Sequence, residues 1–225
     1  MGRLFDMDSP VMRFLNMLAD LLILNFLMII CCIPVITAGA AFTGLHYVLL
    51  KMVRGEEGYL LKGFFKSFAR NFRQATILWL ILLLITTVFA ADFIALAYSG
   101  LEFPKPLAIM ILALAVIVLM AAFYIFPLLS HFDNTVKYTI RNAFLIAGFN
   151  LPKTILIVIV NMIPAALIWF WAYGIVFAFM FGFSVPAYIS AFLYSGIFKR
   201  LEPEGEAASD YDFSIEVNEE EGKSD

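Results

Sequence analysis

The stretch "CCIPVITAGAAFTGLHYVLLK", residues 31–51, lies in a run from Met17 to Leu50 whose only charged side chain is Asp20. Its reading decides the topology of everything that follows. A single helix over residues 17–50 would be about 51 Å long, well beyond the roughly 30 Å of bilayer hydrocarbon even with tilt. The run must break, and the break is written at "PVITAGA". Pro34 lacks the amide donor that a helix interior needs, and Thr37 is suited to cap a new helix beginning at Ala38 and Gly39. The sequence therefore predicts a hairpin turn built on Pro34, Thr37 and Gly39. One helix runs from Pro10 to Ile33, about 36 Å, and a second from 38 to 54, about 25 Å, with Gly55 as its terminating residue. A cleaved signal peptide ending at "AGA" is disfavoured, because the apolar segment continues far past that site and Asp6 and Asp8 balance the early arginines.

The rest of the chain has the same character. Of 225 residues, 63% are hydrophobic and 15% charged, against about half and about a quarter in soluble domains. Further charge-poor runs at 75–97, 107–130 and 154–198 give a polytopic all-α transmembrane bundle. Six spans with both termini in the cytoplasm are favoured, and five is the alternative. Orientation follows from the basic loops. Residues 51–74 carry Lys51, Arg54, Lys62, Lys66, Arg70 and Arg73; residues 131–153 carry Lys137, Arg141 and Lys153; and the last span ends at Lys199 and Arg200. These face the cytoplasm, with Arg3 and Arg13 in weak support. The linker at 98–106 and the turn near 173–182 face outward.

Charge also divides the chain into a transmembrane domain at 1–201 and a tail at 202–225. The tail holds ten acidic residues against Lys223, whereas residues 1–201 carry fourteen Lys and Arg against eight Asp and Glu, a net of +6. The basic part suits a lipid bilayer surface rather than a nucleic acid, and the acidic tail is expected to be disordered. Within it, "DYDFSIEVNEEE" alternates apolar and polar residues, as a strand added to a partner's sheet edge would.

Residues 60–73 set Leu61, Phe64, Phe65, Phe68 and Phe72 beside Lys62, Lys66, Arg70 and Arg73 at helical spacing. This pattern predicts an amphipathic interfacial helix whose cations meet anionic headgroups or a partner protein. A weaker echo follows: "LLKGFFKSFARNFRQATIL" and "TVKYTIRNAFLIAGFNLPKTIL" both place basic residues four apart, then Arg-Asn, then Thr-Ile-Leu. That is the mark of a parallel duplication rather than an inverted repeat.

Polar groups inside spans are the functional candidates. His46, Asn161, Ser184 and Tyr188 are singled out, with Ser195 on the face of Ser184 and Tyr188. Asn161 is placed to satisfy a carbonyl freed by Pro164. Asn16, Asp20 and Arg13 form a local cluster near a helix end, and Gly39, Ala40, Thr43 and Gly44 make small-xxx-small pairs for close helix packing. Two histidines without ligand spacing, adjacent Cys31 and Cys32, and no phosphate loop or nucleophile elbow point to no cofactor, no metal and no catalytic residue.

The region "CCIPVITAGAAFTGLHYVLLKMVRGEEGYLLKGFFKSFARNFRQATILWL" resembles the YesL family of small bacterial integral membrane proteins of unknown function. The elements that carry the likeness are the turn at Pro34–Gly39, the aromatic-rich stretch 46–50, the charged loop 51–58 and the phenylalanine-rich segment 64–72. "RNAF" and "NLPKT" within 141–154 extend it. The resemblance implies a non-enzymatic protein of the bacterial plasma membrane, accessory or regulatory to a carbohydrate uptake system of the ABC-transporter type. A small solute carrier or channel is the alternative.

Overall fold

A computed structural model describes residues 10–56, 58–98, 105–171 and 173–202. Arg3, Asp6, Asp8, Glu102 and the tail from residue 203, including its alternating segment, lie outside the described residues. Among the described residues eight α-helices follow one another: α1 Pro10–Cys32, α2 Ala38–Arg54, α3 Leu60–Tyr98, α4 Lys105–His131, α5 Val136–Phe149, α6 Leu151–Phe170, α7 Gly174–Phe181 and α8 Ser184–Phe198. Five of them, α1, α2, α3, α4 and α6, are long and apolar enough to cross a bilayer. Helices α7 and α8, bent by 54° at a short break, together make a sixth candidate span.

The opening run breaks where the sequence places the break. Residues Val35–Thr37 form one 3₁₀ turn, and α2 ends at Gly55 in the left-handed conformation (φ 70°), its N–H returned to Lys51 O and Met52 O. Two details of the turn differ from expectation. Thr37 stands at the N-cap of α2, as expected, but its side chain makes no capping bond: the hydroxyl donates backward, to Cys31 O and to Pro34 O. It thus closes the carbonyl end of α1, where Pro34 supplies no amide. Gly39 is not a turn residue either. It is buried in the first turn of α2, where an added Cβ would lie 2.4 Å from Ala75 O and 2.7 Å from Trp79 Cβ. Its role is to let α2 lie against the α3 backbone, as small residues do where lipid offers no hydrophobic drive for helix association.

Helix α2 is the centre of the bundle, packed most extensively on α3 and then on α8, α4 and α1. Leu45, Leu49, Phe64, Leu78, Tyr124 and Phe198 fill the space around it. The largest correction concerns residues 60–73. They are not a separate surface helix but the first third of α3, 39 residues without a break and about 58 Å long. An unbroken helix cannot lie in the membrane plane and then cross it. About half its length exceeds the hydrocarbon thickness, so α3 projects beyond the bilayer at its basic end. Its phenylalanines are not all turned to lipid: Phe64 is buried against Gly44, and Phe68 stacks on it at 6.2 Å. The echoed segment at 136–154 behaves differently, breaking at Asn150 between α5 and α6.

Candidate functional site

The helices leave a cavity of about 640 Å³ among α2, α3, α4, α6 and the α7–α8 bend. Phe42, His46, Trp79, Phe126, Asn161 and Phe183 are prominent in its wall. Burial grades along it. Leu45, His46, Phe126 and Ala187 form a closed floor, whereas Thr86, Leu119, Ile168 and Ile175 form an exposed rim toward the charge-poor end. No lining residue is charged.

His46 is 8% exposed, its ring edge-on to Tyr194 at 5.7 Å. Its Nδ1 is buried without a hydrogen-bond partner, and the indole Nε1 of Trp79 on the same wall is in the same state. Buried polar groups are ordinarily paired, and these two atoms, closed off from the cavity itself, are exceptions to that rule. Asn161 donates through Nδ2 to Ser190 Oγ at 2.9 Å and to Ile157 O at 2.8 Å. Ile157 O is the acceptor one turn back from Asn161, not Val160 O, the carbonyl that Pro164 frees; the expected proline repair is not made. The amide braces α6 to α8 and leaves its Oδ1 as an acceptor.

Of the singled-out polar residues, the structure brings His46 and Asn161 into one cavity and leaves the other two apart. Ser184 is fully buried, its hydroxyl unpartnered, at the start of α8. Tyr188 is half-buried outside the cavity, its ring against Phe192 at 5.2 Å. At the basic end, Lys62 and Lys66 line a smaller cleft of about 90 Å³ with Asp20, Lys51 and Glu56. Lys51 lies 3.8 Å from Glu56 and over the ring of Tyr47. Arg70 pairs with Asp133 in the α4–α5 connection, and Arg73 is exposed. Among the described residues no three His, Cys, Asp or Glu side chains gather as metal ligands would.

Three polar devices escaped the sequence reading. Asn25, fully buried on α1, accepts from the N–H groups of Phe183 (2.9 Å) and Ser184 (3.2 Å) and donates to Phe179 O at 2.8 Å. One side chain thereby serves both sides of the α7–α8 break, whose backbone groups would otherwise be orphaned away from water. Its signal in the sequence was a lone amide in a 34-residue apolar run. Secondly, Pro127 inside α4 leaves Phe123 O without its helical donor, and the hydroxyl of Tyr194 on α8 supplies one at 2.7 Å. Tyr124, on the same stretch of α4, donates to Thr154 Oγ1 at 2.9 Å, while Thr154 reaches back to Ala147 O and Asn150 O across the α5–α6 break.

The third device joins both ends of the chain's polarity. Arg54 Nη2 donates to Glu202 Oε1 at 2.6 Å, and His131 Nε2 lies 2.6 Å from the same oxygen. Glu202, first residue of the expected tail, is thus tied to the ends of α2 and α4. Burial alone would raise its carboxyl, but the hydrogen bonds and charges of Arg54 and His131 outweigh that and hold it below the ordinary glutamate value. His131 in turn stacks on Phe198 at 5.4 Å.

Residues 21–93 match a protein family described as "Protein of unknown function, DUF624". The match runs from α1 through α2 into α3, and so takes in the Pro34 break, His46, the basic cleft apart from Asp20 and the phenylalanine-rich part of α3. No curated protein and no solved structure matches the chain.

Proposed function

We propose that the protein is a non-enzymatic, multi-pass component of the bacterial plasma membrane, of the YesL kind, that assists or regulates a carbohydrate ABC-type uptake system from its cytoplasmic side. The observation that carries this reading is the projecting first third of α3. It is a basic segment whose Lys62, Lys66, Arg73 and Phe65 are solvent-exposed, Lys62 and Lys66 at the cleft, with Arg70 paired to Asp133. Such a segment offers a protein partner both charge complementarity and an apolar anchor. The interior polar groups support it from the other direction. Asn25, Tyr124, Thr154, Asn161 and Tyr194 are engaged in bonds that brace helices together.

Mild-detergent purification of the tagged full chain from its native host tests the proposal. A permease or ATPase subunit at stoichiometric yield, lost in Lys66→Glu/Arg73→Glu, is the expected result. The alternative of a solute carrier draws on the cavity at His46 and Asn161. Sugar flux into liposomes holding this protein alone, abolished in His46→Phe, would replace the accessory role with that one.

A further inference from the structure

We propose that the cavity floored by His46 is a binding site for a neutral single-chain amphiphile entering from the bilayer, its hydroxyl or carbonyl head held at His46 and Asn161. The volume, about 640 Å³, falls within the range of small-molecule sites and holds roughly twenty groups of water size at about 30 Å³ each. The wall is dominated by aromatic and aliphatic side chains, with polar groups confined to a few points. A free sugar fits such a wall badly, because most of its hydroxyls would face Phe42, Phe126 and Phe183 and go unpaired.

Charge narrows the class further. No Lys, Arg, Asp or Glu lines the cavity, so a carboxylate or phosphate head would enter an apolar site without a counter-ion. A neutral head meets what is there. A neutral imidazole offers one donor and one acceptor, which a hydroxyl can satisfy reciprocally, and Asn161 elsewhere in the lining keeps its Oδ1 as an acceptor. His46 lines the floor and is more than nine-tenths buried; its Nδ1 has no partner and is closed off from the cavity as the ring stands. A half-turn of its ring exchanges Nδ1 with a carbon at no cost in shape, so either nitrogen position is within the imidazole's reach. The chain of the amphiphile would then run along the aromatic wall to the exposed rim at Leu119, Ile168 and Ile175, where lipid tails begin.

The test uses the full chain in lipid nanodiscs with Trp169→Phe and Trp171→Phe, which leaves Trp79 in the cavity wall as the reporter. The probe is a monoglyceride carrying a brominated stearoyl chain, whose bromine quenches indole on contact. Quenching should saturate at low mole fraction, be reversed by unbrominated monoolein, and weaken about tenfold in His46→Phe, the loss of about one hydrogen-bonded anchor. Ala165→Phe, which fills the rim from an exposed position, should weaken it at least as much without touching the floor; it carries the test if His46→Phe fails to fold. Quenching that only tracks bulk mole fraction, as with brominated phosphatidylcholine, and ignores Ala165→Phe would overturn the proposal, the cavity then holding annular lipid alone. Equal or tighter binding of the ionised brominated fatty acid would overturn the charge argument. Displacement of the probe by a free sugar would overturn the ligand class.

Discussion

Replacing Asn25 with leucine removes one side chain and strands three backbone groups at the α7–α8 bend. Leucine matches the space, so no large cavity opens, and the loss falls on hydrogen bonds at 2.8, 2.9 and 3.2 Å. At about 1 kcal/mol net for each, or nearer 0.6 kcal/mol as interhelical bonds in membranes average, the three together are worth roughly 2–3 kcal/mol. The stranded N–H groups of Phe183 and Ser184 and the carbonyl of Phe179 have no water to turn to, which lifts the cost toward about 5 kcal/mol. For a chain of this size each kcal/mol corresponds to roughly 2–4 °C, so the melting temperature of the purified protein in detergent should fall by roughly 6–12 °C or more. Asn16→Leu, an exposed amide on the same helix, should stay within about 0.5 kcal/mol of the parent. Amide exchange at Phe183 and Ser184 provides a local readout and should accelerate in Asn25→Leu. A variant that melts within a degree or so of the parent, with those amides still protected, would refute the view that this side chain holds the broken span together.

Gly39→Ala places a methyl within 2.4 Å of Ala75 O, so α2 and α3 must separate by about 1 Å; a loss of roughly 1–3 kcal/mol in detergent melting is expected, and a neutral result would contradict the packing described. Tyr194→Phe should cost about 1 kcal/mol in the parent but far less in a Pro127→Ala background, where residue 127 regains its N–H for Phe123 O; equal costs in the two backgrounds would deny the coupling. The Glu202 clasp is pH-dependent in one direction. A carboxylate held below its ordinary value of 4.5 stabilises the fold fully above that value and loses the contribution as pH falls through the lowered one. The difference in melting temperature between the parent and Glu202→Gln should therefore be constant at neutral pH and shrink on acidification below the glutamate range. A difference that grows as pH falls below the glutamate range would reverse the assignment.

Much of the architecture was legible locally. The Pro34 break, the limits of α2 and its Gly55 terminus follow from a missing amide, a glycine that tolerates positive φ and an apolar run too long for one crossing. These are properties of a few adjacent residues, so one dimension carries them. The five or six candidate spans were readable for a similar reason, because the hydrocarbon thickness is a ruler applied to each segment by itself.

What the tertiary structure decided are the relations between segments. Whether residues 60–73 lie flat or continue into the span depends on a helix junction that no proline or glycine marks, and packing against α2 at Gly39, Gly44 and Phe64 keeps α3 unbroken through it. The polar candidates divided for the same cause. His46 and Asn161 were each visible as costly residues in an apolar run, but their shared cavity arises from the angle between α2, α6 and the bent α7–α8 pair. Asn25 was passed over because its partners are backbone atoms more than 150 residues away, and a backbone atom that has lost its own helical partner leaves no letter in the sequence. Sequence alone therefore determined a multi-pass helical chain with a basic end. Helix breaks far apart in the chain, and the side chains that close them, decided where the cavity at His46 lies and which polar residues line it.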